Sequence, residues 1–321
     1  MPRRIILDTD TGVDDALAIL LALRSPELQV EAITAVSGNI HVDHCVRNIL
    51  MTLETLGLSD LPTVARGEEH PLVKPMMFAD EIHGGDGLGG VTRLSGPNGT
   101  RLYPDPVNRA SPIHAVDLIL DRIGAYPDDL TLVPVGPLTN VAKAIIKNPA
   151  RMRKLREIVI MGGAFRVYGN MSPVAEFNIF ADPHAAQVVC NSGIPLVFVP
   201  LDVTMQAILT AHAIDRYAAT GGPITTFVRD CTAHYVTFHR QRRQVNGCFM
   251  HDPLAVAIAF REDLVRMVPA RVDVETSGDL TTGMTVADLR ESKDGAVPNA
   301  RVCVDVDAAT FITLFEERVL Q

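Results

Sequence analysis

The chain has 321 residues, 47% of them apolar and 5% aromatic, with no Trp and a formal net charge of −9. That is enough to bury a substantial core, and α/β chains of this length often form one unit. The acidic balance argues against a nucleic-acid partner, which needs a basic face, and no apolar run approaches the roughly 20 residues needed to span a membrane.

The amino terminus, Met1-Pro2-Arg3-Arg4, is basic, but only Ile5–Leu7 precede Asp8, so it does not read as a signal peptide. Ile5–Leu7 is the first predicted strand, and an acidic turn and an apolar helical pattern at Asp14–Leu23 follow. Strand Val30–Val36, helix Val42–Leu56 and strand Thr63–Ala65 come next. Residues 66–111 form the longest irregular stretch, rich in Gly and Pro, with Ile82-His83-Gly84-Gly85-Asp86-Gly87-Leu88-Gly89-Gly90 inside it. A loop of this length in a compact domain is usually functional or mobile, and it is expected to act as a lid with glycine hinges. Helix Ile113–Ile123, strand Leu130–Val135, helix Asn140–Lys147, strand Glu157–Met161, helix Pro183–Asn191 and strand Leu196–Pro200 complete the alternation. The last third begins with helices over about 211–260 and ends with short strands and a helix at 308–320. Its most basic stretch, Arg240-Gln241-Arg242-Arg243, reads as a solvated helix face.

Strands apolar on both faces, alternating with helices, predict a mostly parallel central sheet flanked by helices. No linker interrupts the pattern, so residues 1–321 are expected to form a single α/β domain. Cys45, Cys190, Cys231, Cys248 and Cys303 are odd in number and include no CxxC pair. They suit neither a disulfide framework nor a zinc site, and buried thiols in a soluble cytoplasmic protein are expected.

The polar residues fall at strand ends. Asp8 and Asp10 follow the first strand, Asn39 the second, Gly136-Pro137-Leu138-Thr139-Asn140 the fourth and Met161-Gly162-Gly163 the fifth. In a parallel sheet these positions share the carboxyl edge, where ligands of α/β folds bind.

Asp8-Thr9-Asp10-Thr11-Gly12-Val13-Asp14-Asp15 holds four aspartates in eight residues directly after a buried strand. Carboxylates held this close raise one another's pKa, and a hard divalent cation with oxygen ligands relieves them. Helix capping explains one aspartate, not four. An EF-hand loop is excluded because Gly12 comes too early and Ile19 stands where a Glu is required. A haloacid-dehalogenase-type phosphatase also places D-x-D after its first strand and is an alternative, although Asp14 and Asp15 have no role in that scheme. Gly85-Asp86-Gly87-Leu88-Gly89-Gly90 fits GxGxxG, but with no strand before it and no helix after it a dinucleotide site is not expected. No GxSxG elbow is present.

The acidic block, followed in order by Val36-Ser37-Gly38-Asn39, Ile82-His83-Gly84, Val133-Pro134-Val135-Gly136-Pro137-Leu138-Thr139-Asn140, Met161-Gly162-Gly163-Ala164, Pro173-Val174-Ala175-Glu176-Phe177-Asn178, His251-Asp252-Pro253 and Gly283-Met284-Thr285-Val286, resembles the inosine-uridine-preferring nucleoside hydrolase family over nearly the whole chain. The resemblance implies hydrolysis of ribonucleosides of the inosine, uridine and cytidine class to ribose and free base, in purine or pyrimidine salvage. A non-catalytic nucleoside- or ribose-binding protein on the same scaffold is a further alternative. The family resemblance implies Ca²⁺ held by Asp10, Asp15, Asp252 and the carbonyl of Val135, with Asp10 as general base on a water. Asp14 and Asn178 would hold the 2′ and 3′ hydroxyls, Asn170 and Glu176 the 5′ hydroxyl, and Asn39 and Met161 would line the ribose pocket. His251 and His83 are the base-side candidates for protonating the leaving group, since His titrates near neutral pH. The resemblance puts the helical region at about 211–260, with the helix Ala233–Arg243, on the base side; there His239 takes a place the family often gives to Tyr, and the absence of Trp argues against its purine-specific branch, so the preferred base stays open. A homodimer or homotetramer is implied. By itself, Asp252 before Pro253 reads as a helix N-cap, as does its twin Asp182-Pro183.

Overall fold

Ile5 and Leu7 pack on one side of the first strand and Ile6 on the other, all fully buried. The same alternation separates Val133 from Leu132, Val159 from Ile158 and Val197 from Phe198. Side chains of a strand point alternately to opposite faces, so these β-branched and leucine-rich runs form a sheet with a core on each side. Fully burying one such side chain contributes about 1.5–3 kcal/mol.

The computed structural model describes residues 1–290 and 297–321. Its strands are β1 (Arg3–Thr9), β2 (Leu28–Ala35), β3 (Thr63–Arg66), β4 (Leu130–Pro134), β5 (Glu157–Met161), β6 (Leu196–Val199), β7 (Ile208–Thr210), β8 (Gly247–Phe249), β9 (Val265–Ala270), β10 (Val272–Val274), β11 (Thr285–Ala287) and β12 (Ala300–Val306). Eight form the main sheet in the order β3-β2-β1-β4-β5-β6-β12-β9, parallel except for the last pair. The order reverses between β1 and β4, where Asp8 pairs with Pro134, and this switch point opens the crevice at the carboxyl edge.

Helix Val13–Arg24 follows β1 and is buried over Val13–Ala22. It lies against helix His251–Ile258, so Asp252 arrives beside Asp14 and Asp15 from far along the chain. The 211–260 region contains the expected helices, Ala211–Ala218, Pro223–Arg243 and His251–Ile258, but also the antiparallel ribbon β7–β8. Its three-residue strands are too short to show a period of two. Residues 66–111 are less irregular than expected: helix Asp80–His83 and the 3-10 turn Val91–Arg93 lie within them. The Asp86 carboxylate gathers the N–H groups of Leu88, Gly90 and Thr92 there, so the glycine-rich segment is closed on its own hydrogen bonds. Among the described residues no helix is long and apolar enough to cross a membrane.

Candidate active site

The acidic turn after β1 is buried, and each carboxylate has its own partners. Asp8 accepts from Thr34 and from Asn140 Nδ2, and burial pushes its carboxyl up to about 7. Asp10 Oδ2 accepts the N–H of Asn39 at 2.6 Å, while Oδ1 is buried with no hydrogen-bond partner among the described residues. Asp15 accepts from Thr9 Oγ1 at 2.6 Å, Gly12 N at 2.8 Å and Asn39 Nδ2 at 3.0 Å. Gly38 and Gly136 close over Asp10, where a Cβ would stand 2.1 Å from Oδ2 and 2.7 Å from Oδ1 respectively.

Asp14, Asp15 and Asp252 bring carboxylate oxygens within 4.8 Å of one another, all three residues buried. Burial first, then repulsion from Asp15, holds the carboxyls of Asp10 and Asp14 well above the usual range; burial, then Asp14, does so for Asp252. A cluster of acceptor-only groups with an orphaned buried oxygen fits a hard divalent cation. The metal-ligand set implied by resemblance is only partly reproduced as a cluster: Asp15 and Asp252 belong to it, Asp14 joins them, and Asp10 adjoins through Asp15. The Val135 carbonyl accepts Asn178 Nδ2 at 2.8 Å. The two Asp-Pro sequences diverge. Asp182 caps its helix through Ala185 N, whereas helix His251–Ile258 starts after Met250 and Asp252 caps nothing.

A cavity of about 350 Å³ opens beside this cluster. The strand-end segments contribute Asp14, Asn39, Val135 and Met161 to its lining, and Asp252 joins them from its helix. The loop after β5 contributes Asn170, Glu176 and Asn178. Glu176 caps helix Phe177–Ala181, accepting from Asn178 N at 2.8 Å, Ile179 N at 3.1 Å and Gly163 N at 3.2 Å. Burial nevertheless pushes its carboxyl up to about 7. Asn170 Oδ1 accepts the N–H of Phe177, which fixes the loop. Asp10 and Asp15, both fully buried, do not line the cavity.

The rest of the lining is aromatic. His83 stacks on Tyr235 at 5.3 Å, Tyr235 meets His239 edge-on at 4.2 Å, and Phe249 contacts both His239 and His251. His83 Nδ1 lies 3.1 Å from the Val13 N–H, and His251 Nδ1 lies 2.7 Å from Thr204 Oγ1. The expected titration near neutral pH is not met. Burial pushes His83 and His251 down to about 3 and His239 to about 4, so all three rings are neutral at pH 7.

Phe249 belongs to the cavity without having been singled out from sequence, and Tyr235, Arg242 and Arg243 line it from the helix that the resemblance put on the base side, without a role of their own having been assigned. Tyr235 had a usable signal: it lies four residues before His239 on one helix and so shares its face. Arg242 and Arg243 are exposed as expected, yet the face they occupy borders the cavity.

Residues 5–313 match the model of the family described as inosine-uridine preferring nucleoside hydrolase. The chain is 40% identical over 320 residues to the pyrimidine-specific ribonucleoside hydrolase RihA of Citrobacter koseri, covering 99% of this chain and 98% of that protein. It is 42% identical over 320 residues to RihA of Salmonella arizonae, covering 99% of each. The solved structure of a purine-preferring ribonucleoside hydrolase from Gardnerella vaginalis superposes with a TM-score of 0.90 at 35% identity, covering 99% of this chain and 98% of that one.

Proposed function

The chain belongs to the inosine-uridine preferring nucleoside hydrolase family and is a nucleoside hydrolase; from that premise we propose that it hydrolyses pyrimidine ribonucleosides, uridine and cytidine, to ribose and free base. Family membership sets aside the phosphatase and the non-catalytic binding protein. The carrying observation is one cavity that joins Asp14 and Asp252 to the aromatic group of His83, Tyr235, His239 and Phe249. Carboxylates stabilise an oxocarbenium-like sugar, and aromatic faces receive a flat base.

Ca²⁺ is the proposed cation, held by Asp10, Asp15, Asp252 and the Val135 carbonyl, a set of hard oxygens of mixed type that suits Ca²⁺ better than Mg²⁺. When bound, it supplies compensating charge and lowers the pKa of a coordinated water. Asp10 takes the proton of the attacking water at Oδ1, the oxygen without a partner; general base catalysis contributes about 10²–10⁴-fold. Asp14 and Asn178 hold the 2′ and 3′ hydroxyls, Asn170 and Glu176 the 5′ hydroxyl, and Asn39 and Met161 flank the ribose. His83 and His251 serve the base as neutral N–H donors. The C1′–N bond breaks with its electron pair passing to the base, and the water oxygen forms the new bond to C1′.

The pyrimidine assignment follows the full-length relatives at 40% and 42% identity. The purine-preferring structure at 35% shares the fold, so base choice rests on the aromatic lining rather than on the scaffold. The five free, buried thiols suit the cytoplasm as the site of action, and a homodimer or homotetramer is proposed from the family resemblance, to be read by light scattering.

Incubation with uridine, cytidine and inosine tests the reading. Reducing sugar should appear fastest from the two pyrimidine nucleosides, and Asp10→Asn should abolish release while retaining nucleoside binding. Release from inosine alone overturns the base assignment; release from none overturns the function.

A further inference from the structure

Helix Pro223–Arg243 ends in three arginines, and their surroundings separate them. Arg240 is engaged by Asn246, donating from Nε at 2.9 Å and Nη2 at 2.6 Å. The chain then reverses at Gln244, which adopts a left-handed conformation and donates its N–H to the His239 carbonyl. Arg242 and Arg243 are left beside the cavity, next to His239 and Phe249. Among the described residues neither has a carboxylate within ion-pair distance, and both line the cavity. Glu81 also lines the cavity but pairs with neither. The helix dipole favours a cation in the last turn. It does not explain why two of three arginines border the cavity unpaired.

Among the described residues, Arg242 and Arg243 are the only Lys or Arg side chains that line the cavity. A pyrimidine leaves C1′ carrying the electron pair of the broken bond, and that negative charge is shared with its ring carbonyls.

We propose that Arg243 is a leaving-group residue, its guanidinium donating to the carbonyl edge of the departing base and stabilising the charge gathered there, with Arg242 adding to the field. This rests on the nucleoside-hydrolase reading. The electron pair of the C1′–N bond goes to the base, the water oxygen bonds C1′, and a proton returns to the base nitrogen; Arg243 keeps its own proton throughout, as guanidinium groups do.

The test compares Arg243→Gln and Arg243→Lys with the wild type on uridine, 5-methyluridine and 5-fluorouridine, whose bases differ in acidity. Arg243→Gln should lower kcat/KM on uridine by about 10- to 100-fold, the worth of a hydrogen bond from a charged group. Its rate should depend more steeply on base acidity than that of the wild type, with 5-fluorouridine losing least and Arg243→Lys lying between. Free 5-fluorouracil, titrated calorimetrically, should bind Arg243→Gln more weakly than the wild type. An unchanged rate, or an equal loss on all three substrates with unchanged 5-fluorouracil binding, overturns the proposal. If the wild type cleaves no ribonucleoside, it is the hydrolase reading that fails, and the 5-fluorouracil titration still decides whether Arg243 meets the base.

Discussion

The main-chain N–H of Val13 donates to His83 Nδ1 at 3.1 Å. Val13 opens the central helix, and its N–H is one of the donors that a helix start leaves without an internal partner. A main-chain N–H can only donate, so Nδ1 must present its lone pair and the ring proton must sit on Nε2. Nitrogen-15 NMR of the protein labelled at histidine should report a neutral Nε2–H tautomer for His83. A spectrum with the proton on Nδ1 contradicts the assignment.

Gly38 is required by close approach to Asp10. A Cβ there would lie 2.1 Å from Asp10 Oδ2 and 2.7 Å from Pro137 Cδ. Gly38→Ala should displace the Asp10 carboxylate and cost about 1–3 kcal/mol of stability through overpacking. Chemical denaturation measures the second effect and uridine turnover the first; wild-type values in both would show that the turn has room to spare.

Glu176 provides a pH signature in stability. Burial raises its folded carboxyl from 4.5 to about 7, so the folded chain holds this proton more tightly than the unfolded chain does. Stability from this group is therefore lost as pH rises from about 4.5 to about 7 and is constant above, by at most about 3 kcal/mol. Glu176→Gln should remove that slope. The comparison is denaturant unfolding of both proteins at pH 5 and pH 8, and parallel losses in the two would refute it.

The buried carboxylates should make stability depend on a divalent cation. Asp14, Asp15 and Asp252 repel one another when ionised together. Saturating Ca²⁺ at about 100 times its Kd should add about 2.7 kcal/mol and raise Tm by roughly 4 °C over the chelated protein. Calorimetry with Ca²⁺, Mg²⁺ or EDTA reads this directly. A Tm indifferent to all three would argue against a cation at the cluster.

Most of the central sheet was legible because its strands are buried on both faces and bounded by turn residues, so β4, β5 and β6 emerge within a residue or so of where they lie. The ribbon β7–β8 and the antiparallel partner β9 were not, since a three-residue strand carries no period and an edge strand's direction leaves no mark on its composition. Most of the family blocks led to the cavity lining because they follow a strand or open a helix at the carboxyl edge; Gly283–Val286, which leads into β11, lies off the cavity. The resemblance put the helix of Tyr235 and Arg243 on the base side, but which of its residues reach the cavity was not legible, because that helix packs across the site from the side and its neighbours along the chain do not announce the cavity.

The sequence by itself determined the fold class, the edge of the sheet where polar residues gather, and the concentration of negative charge at that edge. These depend on periodicity and on residue types at strand ends, which are local properties. Only the tertiary structure decided that Asp14 and Asp252 meet, that His83, His239 and His251 gather around Tyr235 and Phe249, that the Val13 N–H faces His83 Nδ1, and that two arginines border the cavity. Each of those depends on burial or on a partner brought from elsewhere, as Val13 is to His83 across 70 residues. Protonation and charge compensation are set by surroundings, and surroundings exist only once the chain has folded.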